Sequence, residues 1–199
     1  MQFFEHSAIA LAGAGVVVTA ALTYWAAREH IEEKISINAI RDMAQIYSYM
    51  LRVVNNTQAD RMLILMLSNG GRILRPHDAK YVTVIDEVGN GKVRPVINDF
   101  NRSRVDGEYI RIVNRLIEER EIIMAVRQLN PGFLRDAYDA DGITHFMLFY
   151  IGYKSKRHYF GSISTTSGRA FMEVEETQEI SISINQIRRM FSRRGIKLP

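Results

Sequence analysis

The chain has no cysteine, which excludes a disulfide framework, thiolate catalysis and cysteine-ligated zinc or iron–sulfur clusters. Proline is nearly as scarce. Its four residues stand at 76, 95, 131 and 199, leaving long stretches free to form uninterrupted elements. There is no low-complexity tract, no Pro/Ser linker and no internal repeat. Five histidines (His6, His30, His77, His145 and His158) are scattered without HxH or HExxH spacing, so no metal site is expected. His145 and His158 are expected to face one another across a hairpin. The formal net charge is only +4, so a nucleic-acid or lipid role requires the cations to be clustered.

The most telling absence is local. Ser7 to Ala27 reads SAIALAGAGVVVTAALTYWAA, 21 positions without one charged side chain. That is long enough to cross a bilayer as a helix. Tyr24 and Trp25 close it, as amphipathic rings do at the headgroup layer. The preceding MQFFEH carries Glu5 and no Lys or Arg, whereas an export signal wants positive charge there. Residues 1–27 are therefore expected to form an uncleaved single-span anchor. Arg28, Lys34, Arg41 and Arg52 follow it, so the positive-inside rule places the rest of the chain in the cytoplasm. Ala10, Gly13, Ala14, Gly15 and Ala21 would let two such helices approach closely, favouring a homo-oligomer.

Residues 28–56 lack Gly and Pro and read as a connecting helix. Ile40, Met43, Tyr47, Met50 and Val54 form an apolar stripe that can pair with a second copy, pack on its own domain, or do both. Met62 to Leu67 is a continuous apolar run expected to be a strand buried on both faces, ended by Asn69-Gly70-Gly71. Tyr81 to Val88 is the next strand. Asp106 to Leu129 reads as a helix capped by Asp106 and stopped by Asn130-Pro131-Gly132. Within it, Glu118 to Ile123 is open to local unwinding or a small strand. Ile143–Tyr153 and His158–Ser164 form a hairpin with Lys154-Ser155-Lys156-Arg157 at its tip. Phe171 to Arg194 is expected to be helical, although its EISISI segment also alternates with period two. The predicted class is α+β: an antiparallel sheet covered by helices over residues 57–199, completed by the helix at 36–56.

This arrangement resembles the GAF domain, of the GAF/PAS class. The likeness is carried by the helix Ile35–Val54, the strand and turn Arg61–Gly71, the late hairpin Ile143–Ser164 and the closing helix. It spans roughly Ser36 to Arg194 and is architectural, not motif-level. The resemblance implies a sensory or regulatory domain with a ligand between the sheet and the loops over it. The bilin-attaching cysteine of phytochrome-type members is absent, as is the asparagine–lysine and phenylalanine pattern of cyclic-nucleotide binders, so no cofactor is implied. A single span followed by such a domain is also similar to small membrane proteins of bacteria and their phages.

Several constellations bear on chemistry. Ser68-Asn69-Gly70-Gly71-Arg72 offers amides and a cation but lacks P-loop spacing, so it reads as a turn. Arg75-Pro76-His77-Asp78 places no nucleophile beside its histidine. Asp136, Asp139 and Asp141 lack the register of a calcium loop and read as turn-forming acids before a strand. Glu119 is explained by an i, i+4 pair with Arg115. No catalytic motif and no metal site emerges, so the chain is expected not to be an enzyme. The candidate ligand residues are Asn69, Arg72, Arg75, His77 and Tyr81, near the mouth of the expected pocket. Lys154, Lys156, Arg157, Arg188, Arg189, Arg193 and Arg194 are candidates for contact with an anionic surface. A nucleic acid is disfavoured, because its stacking partners Tyr150, Tyr153 and Phe160 are expected to face the core. The expected partners are a membrane, a second copy of the chain, and a small molecule or protein. The alternative is a structural or assembly membrane protein, for example of phage type, without a ligand pocket.

Overall fold

Met62–Leu67 becomes β1 (Arg61–Ser68), buried along nearly its whole length in the middle of a six-stranded sheet. The computed structural model describes residues 41–68, 81–169, 171 and 174–198. In chain order these form helix α1 (41–56), β1, β2 (Tyr81–Gly89), β3 (Ser103–Arg104), α2 (Gly107–Glu119) and β4 (Glu121–Ala125). A 3-10 turn, Val126–Gln128, leads to α3 (Phe133–Ala140), β5 (His145–Lys154), β6 (Arg157–Thr165) and α4 (Val174–Arg193). The strand order is β3-β2-β1-β6-β5-β4, and every neighbouring pair is antiparallel.

Side chains alternate across this sheet. On one face Leu63, Leu65, Leu67, Phe146, Leu148, Tyr150 and Phe160 pack with Tyr109, Ile112, Val113 and Leu116 of α2 and with Leu134 and Tyr138 of α3. On the other, Met62, Ile64, Phe149, Ile151 and Ile163 are buried with Ile46, Met50 and Val53 of α1 and Ile184, Ile187 and Phe191 of α4. Arg52 and Glu179 (3.0 Å) link α1 to α4. β2 and β5 each carry one extra residue, Ile85 and Ile151, where the register shifts.

The structure corrects three expectations. The helix expected over Asp106–Leu129 stops at Glu119, and of the alternatives open at Glu118–Ile123 a small strand is formed. Arg120 adopts φ 72° with its N–H on the Leu116 carbonyl, and the chain turns back as β4 along β5. Ile122 and Ala125 are buried while Glu121 and Ile123 are exposed, so sheet pairing overrides the helical spacing of the apolar residues. Asp136 and Asp139 lie on α3 rather than in a turn, whereas Asp141 stands in the turn before β5, as expected. His145 and His158 sit at opposite ends of the hairpin, opposite Thr165 and Tyr153. The α1 stripe divides: Met50 and Val54 are buried in their own domain, whereas Tyr47 is 46% exposed. Ile40 and the span expected at Ser7–Ala27 lie outside the described residues. Among the described residues no helix is long and apolar enough to cross a membrane.

Asp106 caps α2 as expected, its Oδ1 accepting from Tyr109 N at 2.8 Å. Its Oδ2 accepts from Phe133 N at 2.7 Å, so one carboxylate serves the first turns of two helices. Gly132 is required there, because a Cβ would lie 2.5 Å from Asp106 Oδ2.

Asp60, buried just before β1, gathers three chain segments. It accepts from Thr166 N (2.7 Å), Thr166 Oγ1 (2.8 Å) and Asn90 Nδ2 (2.9 Å), and meets Lys92 Nζ at 3.2 Å. Burial pushes its carboxyl up, but the bonds from Thr166, Asn90 and Lys92 outweigh that and bring it down to about 2. A carboxyl whose folded value lies below its unfolded one gives stability that is complete above its unfolded range and lost as pH falls through its folded value. Asp60 should therefore account for about 2 kcal/mol of stability lost between roughly pH 4 and pH 2. In acid unfolding titrations, Asp60→Asn should be less stable than the parent near neutral pH and lose correspondingly less over that window.

Candidate functional site

Between the α2/α3 face of the sheet and the 90–102 loop lies a cavity of about 30 Å³, lined chiefly by apolar side chains. Leu63 and Leu65 of β1, Val82 and Val84 of β2, Leu148 of β5 and Phe160 of β6 form its floor; Tyr109, Leu134 and Tyr138 come from the helices. Val96 and Phe100 reach it from the loop, which hangs on β2: Glu87 accepts from Val96 N and Ile97 N at 2.8 Å each, and Val84 N donates to Phe100 O at 3.0 Å. The half-buried rings of Phe100 and Phe133 meet edge to face at 5.5 Å. The space suits about two waters. A drug-sized ligand needs several hundred Å³ and would require those rings to part.

One end of the cavity is polar. Arg61 opens β1, only 2% exposed, and its guanidinium meets Asp141 Oδ2 at 2.7 Å and the Arg94 carbonyl at 3.3 Å. Arg94 closes on the same carboxylate (Nε to Oδ1, 3.1 Å) and on Asp99 (2.5 Å). Two cations thus face two carboxylates, and the cluster carries no net charge. Arg61 Nε is buried without a partner. Beside it the Tyr138 hydroxyl and Ser162 Oγ lie 2.8 Å apart. Burial pushes the Tyr138 phenol up to about 12, against the lowering pull of Ser162 and Arg61, so it stays a neutral donor.

Of the residues expected at the mouth, Asn69, Arg72, Arg75 and His77 lie outside the described residues. Tyr81 starts β2, half-buried, with the Arg102 guanidinium 5.3 Å from its ring centre, and it does not line the cavity. The polar groups that do line it, Arg61, Tyr138 and Ser162, were missed. The available signal was Arg61 itself, a cation heading a strand otherwise apolar and doubly covered. Its partner Asp141 was hidden among acids that read as turn formers. Arg188, expected on an open surface, is committed instead: its Nε donates to the Tyr150 carbonyl (3.0 Å) and it pairs with Glu121 (3.2 Å). Arg115 and Glu119 pair as expected, at 2.6 and 3.0 Å.

No family model matches the sequence, and no curated protein matches it. Solved structures match the fold. The GAF domain of a two-component sensor histidine kinase from Bacillus halodurans is similar with a TM-score of 0.54 at 12% identity, over 75% of this chain and 93% of that one. A GAF domain/HD domain protein from Geobacter sulfurreducens gives 0.53 at 10%, over 75% and 91%. A far-red cyanobacteriochrome photoreceptor gives 0.51 at 15%, over 83% and 96%. The chain has a GAF-like fold.

Removing one partner of a buried pair strands the other charge, whereas replacing both with apolar side chains of similar size is often tolerated. Arg61→Met should cost about 3 kcal/mol, and Arg61→Met/Asp141→Leu should recover most of it. Chemical denaturation of the two variants beside the parent checks this.

Proposed function

We propose that this chain is a membrane-anchored, non-catalytic sensory or regulatory module that takes a small ligand at the Arg61 end of its cavity. The unpartnered Nε of Arg61 supports the ligand reading above all. A core kept only for packing gains nothing from a buried donor without an acceptor, which costs about 1–3 kcal/mol. A ligand oxygen would satisfy it, with the Tyr138 hydroxyl as a second donor. Ser162 is bonded to that phenol and to no base, which speaks against nucleophilic chemistry. The apolar run Ser7–Ala27 and the cations after it support a single span with the domain in the cytoplasm. Tyr47 and Leu51 on α1 and Ile182 on α4, each exposed, support a homodimer.

The small cavity favours a second reading, an assembly protein whose pocket has closed. Native mass spectrometry of the full chain released from detergent separates the two. A dimer that retains a small molecule, lost in Tyr138→Phe, is the expected result; a chain without bound mass supports the assembly reading.

Topology has a simple test because the chain has no cysteine. Ser155→Cys, at the hairpin tip, should resist a membrane-impermeant maleimide in intact cells and react once the membrane is opened. Labelling of intact cells would contradict the cytoplasmic placement.

A further inference from the structure

Residues 143–171 and 180–199 together hold nine Lys or Arg and not one Asp or Glu. Most of these cations belong to two groups forty positions apart in sequence, and the fold joins them. Tyr153 and Lys197 exchange backbone hydrogen bonds at 2.9 Å in each direction, and Lys154 Nζ donates to the Arg194 carbonyl. Lys154, Lys156 and Arg157 at the hairpin tip thereby stand beside Arg193, the last residue of α4, and Lys197 beyond it. All five are exposed, and none is paired with a carboxylate among the described residues. Two apolar side chains stand out between them, Tyr153 and Leu198, each 42% exposed.

The tip adds a second observation. Ser155 and Lys156 both adopt positive φ, 49° and 66°, the geometry of a two-residue turn that favours Asn-Gly. A lysine in that position costs the turn stability and places one more cation at the apex.

We propose that this patch is a docking surface for anionic phospholipid headgroups. Cations around a protruding tyrosine and leucine match a bilayer surface, where phosphate and carboxylate groups lie above accessible hydrocarbon. A single-stranded nucleic acid would need exposed rings to stack on. Tyr150 and Phe160 are buried at 4% and 1%, leaving only Tyr153, itself packed on His158 at 5.8 Å.

The test is amide hydrogen exchange of the full chain with lipid nanodiscs, which reads the patch whether or not a separate segment is embedded. With phosphatidylserine present, amides at 153–157 and 193–198 should exchange more slowly than with phosphatidylcholine alone, and added salt should abolish the difference. Each cation removed should weaken the association about fivefold. Lys156→Gly is the decisive variant, because it relieves the turn: it should raise the melting temperature while weakening protection. Equal exchange in both lipids overturns the proposal. So does protection by a single-stranded oligonucleotide without any by phosphatidylserine, or full protection in Lys156→Gly combined with Lys154→Gln and Arg157→Gln.

Discussion

Asp60 and Arg61, two buried charges at consecutive positions, tie down everything that covers one end of the sheet. Because β1 is buried on both faces, its first residues must enter the interior, and a polar group there needs partners. Asp60 finds them in the turn after β2 and in the residues after β6. Arg61 finds its own in the 90–102 loop and at the end of α3. The sheet's own burial thus fixes where the loops lie. The cavity is the space those loops fail to fill.

That origin explains its unequal character. Wherever strands and helices meet, Leu, Val and Phe close the space. Where the loop and α3 come together over β1, the closing contacts are ion pairs and hydrogen bonds. These specify geometry but add little net stability, since the desolvation of each ion offsets much of its Coulombic gain. An apolar hollow with donors at one end is the outcome, with Phe100 and Phe133 across its mouth.

The central elements were legible because their signals are local and dense. The apolar run of β1, the β-branched β2 and the aromatic hairpin each point one way, and the three/four spacing of α4 outlasts the period-two alternation of its EISISI segment. The region from Arg120 to Ala140 was only partly legible, a small strand and a continued helix both fitting Glu118–Ile123. Ile123 and Val126 continue the spacing of α2, and only the free edge of β5 decides that Glu121–Ala125 becomes a strand. Helix α3 is two turns long and takes its N-terminal bond from Asp106, 27 residues earlier, so no nearby residue announces it. The cavity's polar end was missed for the same reason: Arg61 and Asp141 lie 80 positions apart. The basic patch fared better, since its charges are sequence facts. Its unity depended on Tyr153 meeting Lys197.

A crystal structure of the full chain, purified without added ligands, tests most directly whether the cavity is a binding site. A binding site requires density for a small non-protein molecule against Arg61 Nε and the Tyr138 hydroxyl, with Phe100 and Phe133 parted around its apolar body. Closed rings over one or two waters bonded to Arg61 would contradict it and leave the cavity as a solvated gap in the packing.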